Sequence, residues 1–187
     1  MNAKKMPAPR RNGGTGGNRN QPSNFITNEA VSVNKLPPAD VEAEAALFSL
    51  LIGWPGGIEA ARAILEPEDF SLRGYQILFE MLSQFDAQGR KWTPTTLHDA
   101  FDGHPEGERI QRLIAELGPF WTLRDNGPVR HYARIIKEQA IRRDGIRVLV
   151  SGAESLFQQS ESPEEIFIKV GEITGGLIQR LEGGVHV

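Results

Sequence analysis

A chain of 187 residues with 39% apolar and 24% charged side chains, 20 Gly, 12 Pro and no Cys has room for one folded body and a tail. The lack of cysteine excludes disulfide frameworks, zinc–thiolate centres and cysteine nucleophiles. The net charge of −3 is unevenly divided: residues 1–35 carry +5, whereas residues 36–187 carry −8, with fifteen basic side chains against twenty-three acidic.

The longest nearly apolar run, residues 45–54, has ten residues, half of the roughly 20 that span a bilayer. No apolar stretch follows the N-terminal charges, so a secretory signal is not expected. These features predict a cytoplasmic protein with no membrane partner. Residues 1–35 combine Lys4, Lys5, Arg10, Arg11, Arg19 and Lys35 with a Gly13-Gly14-Thr15-Gly16-Gly17 run and many Asn, Gln and Ser. So little can be buried there that a disordered basic tail is expected. Such a tail either solubilises the chain or touches nucleic acid through phosphate charge, a contact blind to sequence and sensitive to salt.

The body reads as all-α, a multi-helix head over 36–120, a helical hairpin over 121–182 and a flexible C-terminus over 183–187. Asp40 is a good N-cap for a helix over 41–53. Its apolar residues cover most of the circumference and leave a polar strip at Glu42, Ser49 and Gly53, which predicts a central core helix. Trp54-Pro55-Gly56-Gly57 stops it, and a short helix over 58–65 follows, broken at Pro67, with Phe70 as an anchor. Leu72, Tyr75, Leu78, Phe79, Leu82 and Phe85 repeat at three- and four-residue steps up to Gly89. Thr93-Pro94 reads as cap and first-turn proline of a helix that buries Leu97 and Phe101 and stops at Gly103. Ile110, Leu113, Ile114 and Leu117 form another stripe, closed by Gly118-Pro119.

Asp125 or Asn126 can cap a long helix that Pro128 starts and that runs to about 158. Ser162-Pro163-Glu164-Glu165 has the capping-box form, and Ile166, Val170, Ile173, Leu177 and Leu181 follow at near-heptad spacing as the expected hairpin seam. Helices joined by so short a connection run antiparallel. Gly145, Gly152, Gly171, Gly175 and Gly176 each weaken an isolated helix by about 1 kcal/mol relative to Ala. Close helix approach, local bending and simple tolerance all accommodate them.

Catalytic signatures are scarce. Lys4, Lys5, Lys35, Lys91, Lys137 and Lys169 all lack the preceding Gly of a phosphate-binding P-loop. His98, His104, His131 and His186 show no metal-ligand spacing, so neither metal nor cofactor is expected. Ser49, Ser83 and Ser151 stand in no nucleophile elbow. The acidic groups Glu42/Glu44, Glu66/Glu68/Asp69 and Glu164/Glu165 fall at helix starts or turns, where a carboxylate already complements the helix dipole. No enzyme activity is expected. One basic cluster stands out: Arg130, Arg134 and Lys137 share a helix face, with Arg142, Arg143 and Arg147 beyond them. It reads either as a strip for an acidic partner or nucleic acid, or as a solvated helix face.

Several ordered segments resemble one family. Leu36-Pro37-Pro38-Ala39-Asp40-Val41-Glu42-Ala43-Glu44 is similar to the opening of the N-terminal domain of DnaB-type replicative helicases. Ile64-Leu65-Glu66-Pro67-Glu68-Asp69-Phe70 resembles that family's Ile-Leu-x-Pro-Glu-Asp-Phe turn. Ile77-Leu78-Phe79-Glu80-Met81-Leu82, the stretch from Gly89 to Leu97, and Tyr132-Ala133-Arg134-Ile135-Ile136-Lys137-Glu138 resemble later family segments. The resemblance covers about residues 36–182. It implies a collar domain that dimerises, assembles above a hexameric motor and meets primase or the helicase itself.

The chain departs from the family pattern at 71–76, where Gly74-Tyr75 replaces a histidine-containing turn, and at Asp144-Gly145, which interrupts a helix. It ends about where the family's linker to the motor begins, and no Walker lysine follows, so ATPase and unwinding are not implied. The expectation is an oligomerising, non-catalytic module of a primosome or replicative helicase. Alternatives are a nucleic-acid-binding adaptor acting through the tail and the basic strip, a decoy that occupies a host helicase's collar, and a fragment of a longer helicase.

Overall fold

The computed structural model describes residues 36–117, 125–159 and 161–183. Residues 1–35, with the expected tail charges Lys4, Lys5, Arg10, Arg11 and Arg19, and the head–hairpin boundary near 120 lie outside them. Among the described residues all regular structure is helical. No helix there is long and apolar enough to cross a membrane.

Helix α1, Val41–Gly53, begins where Asp40 Oδ1 accepts the Ala43 amide at 2.9 Å. Its apolar residues wrap the helix, and Leu47, Phe48 and Leu51 are fully buried at the centre of the core. The expected polar strip differs at one position. Ser49 is buried, because its hydroxyl donates to the Ala45 carbonyl at 2.9 Å and needs no water. Val41, in contrast, is exposed.

A 3-10 turn at Pro55–Gly57 leads into α2, Ile58–Arg62, which is shorter than the sequence suggests. Gly57 brings the turn close to a later helix; a Cβ there would sit 3.0 Å from Val129 Cγ2. A second 3-10 turn, Pro67–Asp69, delivers Phe70 to the core. There Phe70 lies 5.1 Å from Phe48 and 5.0 Å from Phe79, and Tyr75 stacks on Phe48 at 4.7 Å.

Helix α3, Arg73–Ala87, buries Tyr75, Leu78, Phe79, Leu82 and Phe85 of the expected stripe, with Leu72 half-buried at its N-cap, and ends before Gly89, whose φ of +65° suits glycine. Helix α4, Pro94–Ala100, starts at a reciprocal Thr93–Thr96 cap. Helix α5, Gly107–Glu116, buries Ile110 and Ile114.

Helix α6, Asn126–Gln158, starts where Asp125 accepts the Gly127 amide at 3.0 Å. Its 33 residues make a rod about 50 Å long at 1.5 Å per residue. Its buried residues, Val129, Ala133, Ile136, Ala140 and Ile141, all lie in the first half, and the first three of them join the head's core. The second half pairs with α7, Pro163–Gly183. The direction is antiparallel: Gly152 faces Val170, Gly145 faces Leu177 and Asp144 meets Arg180. Ser162 and Glu165 form the capping box at the start of α7, and these hydrogen bonds lower the Glu165 carboxyl below its ordinary range.

Candidate interaction surface

Three features offer themselves for function: the far half of the hairpin, the basic strip on α6 and a charged junction between head and hairpin. The hairpin comes first because its composition conflicts with its exposure. Phe157 is 86% exposed and Phe167 63%, and Ile146, Leu149, Ile168, Ile173 and Ile178 are each at least half exposed. Single exposed apolar residues are ordinary, but here seven share one hairpin.

The faces can be separated by helical phase. Ile146, Leu149 and Phe157 fall on one side of α6, opposite Ser151, Gly152 and Ser155, which border the groove shared with α7. The expected seam residues divide. Ile166 is 3% exposed and buried against α6, Val170 and Leu177 are half-buried, and Ile173 and Leu181 are about half exposed.

The basic strip divides as well. Lys137 donates to Asp69 Oδ2 at 2.7 Å and is mostly buried. Arg143 reaches back to the Pro38 carbonyl at 2.9 Å and also donates to the Asp69 carbonyl. Arg142 pairs with Glu138, and Arg147 with Asp144 at 3.0 Å. Arg130 is half-buried with its Nε out of water, and Arg134 is exposed. Two of the six cations therefore serve the fold.

The junction was not singled out by sequence. Asp69 is 1% exposed and accepts the Glu66 amide and Lys137 on Oδ2 and Arg180 on Oδ1. Nearby, Glu44 is also 1% exposed and accepts the Ser71 amide at 2.8 Å. Burial holds its carboxyl above the ordinary range, opposed by the Ser71 hydrogen bonds and the Arg143 charge. Tyr75 is pushed up to about 12, first by burial and then by the charges of Glu44 and Glu116.

An open groove of about 440 Å³ lies between α1, α4 and α5, lined by Ser49, Ile52, His98, Gln111 and Ile114 among others. Its polar groups already hold the fold: Gln111 donates to the His98 carbonyl and to Asp102. Among the described residues no three His, Cys, Asp or Glu side chains are grouped to hold a metal.

Comparison with known proteins agrees with this architecture. The family described as the DnaB-like helicase N terminal domain matches residues 36–138. The replicative DNA helicase DnaB of Geobacillus stearothermophilus is 26% identical over 129 residues, covering 68% of this chain and 28% of the relative. The replicative DNA helicase DnaC of Bacillus subtilis (strain 168) is 21% identical over 154 residues, 79% of this chain and 32% of its own length. The chain thus spans about a third of the length of these curated relatives. The crystal structure of the N-terminal domain of DnaB helicase from Mycobacterium tuberculosis superposes with a TM-score of 0.64 at 18% identity, covering 73% of this chain and 96% of that one. The likeness to that structure shows the fold, and the family match takes in more than half of the sequence: this chain belongs to the DnaB-like helicase N-terminal domain family.

Proposed function

We propose that this protein is a non-catalytic assembly module of DNA replication that joins to copies of itself and to a replicative helicase or primase. The observation that carries the reading is the exposed apolar stripe of Ile146, Leu149 and Phe157 on the side of α6 turned away from α7. Burying three such side chains from each of two copies gains on the order of 10 kcal/mol. Association costs roughly 4–15 kcal/mol, so this stripe alone supports a concentration-dependent dimer and further contacts tighten it. A symmetric pairing of hairpins satisfies both copies with one surface.

Light scattering at micromolar concentrations tests it. The wild-type chain should run as a dimer or larger, and a Leu149→Asp, Phe157→Asp double variant as a monomer of unchanged helicity. A wild-type chain that stays monomeric removes the reading. A pull-down with purified helicase and primase then decides which of them it meets.

The nucleic-acid reading draws less support, because Lys137 and Arg143 face inward and Arg142 and Arg147 are paired with acids. It now rests mainly on the charges of residues 1–35. Deleting that segment should abolish any salt-dependent gel shift if the tail binds nucleic acid.

A further inference from the structure

The junction of head and hairpin holds more charge than a static joint needs. Asp69 is already satisfied from within the head: Oδ2 accepts the Glu66 amide at 2.8 Å and Lys137 at 2.7 Å, and Lys137 projects from the half of α6 that is built into the core. Arg180 of α7 comes in addition, reaching Oδ1 at 3.1 Å with one nitrogen and Asp144 Oδ2 at 2.9 Å with the other. The apolar contacts at this end of α7 are thin. Ile178 is 56% exposed and Leu181 42%, and Leu177 is only half-buried beside Gly145. Charge therefore holds an end that packing does not. The Asp144-Gly145 pair, unexpected inside a long helix, supplies the carboxylate that takes Arg180, and a Cβ on Gly145 would only touch Leu177 at an ordinary 3.9 Å.

We propose that Arg180, Asp69 and Asp144 form an ionic latch that holds the C-terminal end of α7 on the head and opens without unfolding the head. Opening costs the contacts of Arg180 and the thin packing of Leu177, while Asp69 keeps its α6 and backbone donors. It uncovers the Leu177 side of α7 and frees a guanidinium, so a partner that offers an acidic group to Arg180 would favour the open form.

The test is hydrogen–deuterium exchange on the full chain at dilutions where it is monomeric. In Arg180→Ala, amides of 170–183 should exchange on the order of tenfold faster, while 41–53 and 73–87 keep their wild-type rates. Arg180→Lys, which reaches one carboxylate at a time, should lie between. Asp144→Asn should give the smaller part of the effect. About 1 M salt, where the Debye length is roughly 3 Å, should speed exchange of 170–183 in the wild type and leave Arg180→Ala unchanged. Wild-type rates over 170–183 in Arg180→Ala overturn the latch. So does an equal acceleration throughout the head, which would make Arg180 a general brace.

Discussion

The indole of Trp92 stands in for a backbone amide that Pro55 lacks. The Leu51 carbonyl, in the last turn of α1, would ordinarily receive the amide of residue 55, and proline has none. Trp92 Nε1 donates to that carbonyl at 3.0 Å in a fully buried position. One side chain thus closes the central helix and ties it to the loop before α4. Trp92→Phe keeps most of the apolar bulk and leaves the carbonyl unpaired, so it should cost about 1–3 kcal/mol in urea unfolding. A loss below about 0.5 kcal/mol would mean that water takes over the bond.

Gly152 and Val170 meet in a close approach of α6 and α7. A Cβ on Gly152 would lie 2.6 Å from Val170 Cγ2, and the branched valine cannot turn away cheaply. Gly152→Ala gains about 1 kcal/mol of helix propensity but forces overpacking of roughly 1–3 kcal/mol. The expected net effect is a modest loss of stability. Pairing it with Val170→Ala should restore the gain, a coupling that a double-mutant cycle reads directly.

Glu44 gives the head a pH dependence of known sign. Its folded pKa is raised, chiefly by burial, so its contribution is complete below the unfolded value and is lost as pH rises through the folded one. Glu44→Gln keeps an oxygen for the Ser71 amide and cannot ionise. The stability of the wild type relative to Glu44→Gln should therefore fall as pH rises from about 4 toward neutrality. A constant difference across that window would place the carboxylate in water. Tyr75, raised to about 12, adds a second loss between roughly pH 10 and 12.

The elements and sites of the chain differ in how far they could be read from the sequence. The stripe of α3, the Thr93-Pro94 start and the Ser162–Glu165 box are local patterns, and each formed where its spacing placed it. The family resemblance rests on equally local segments. Asp69 is different. Pro67-Glu68-Asp69 reads as an ordinary turn, and what makes its carboxylate a hub is Lys137, 68 positions away, and Arg180, 111 positions away. Glu44 and Glu42 look alike in a first helical turn, yet one is buried under Ser71 and the other is exposed. Periodicity found the helix face of Arg130, Arg134 and Lys137, but the residue waiting opposite Lys137 belongs to a distant segment. Patterning reports which way a side chain points along its own helix and is silent on what meets it.

The glycines of α7 separate two ways of building the assembly. Gly171 and Gly175 lie four residues apart, and a Cβ on either would meet nothing within 4 Å. Such spacing permits a close helix crossing, but the stripe of Ile146, Leu149 and Phe157 lies on the other helix, away from α7. If that stripe forms the interface, Gly171→Ala and Gly175→Ala each stabilise the chain by about 1 kcal/mol through helix propensity and leave the dimer dissociation constant unchanged. That is the expected outcome, read by urea unfolding and by sedimentation over a dilution series. A tenfold weaker dimer in either variant, about 1.4 kcal/mol, would instead put the second copy against α7. Phe167 and Ile178, exposed on the Gly171 side, would then be its anchors.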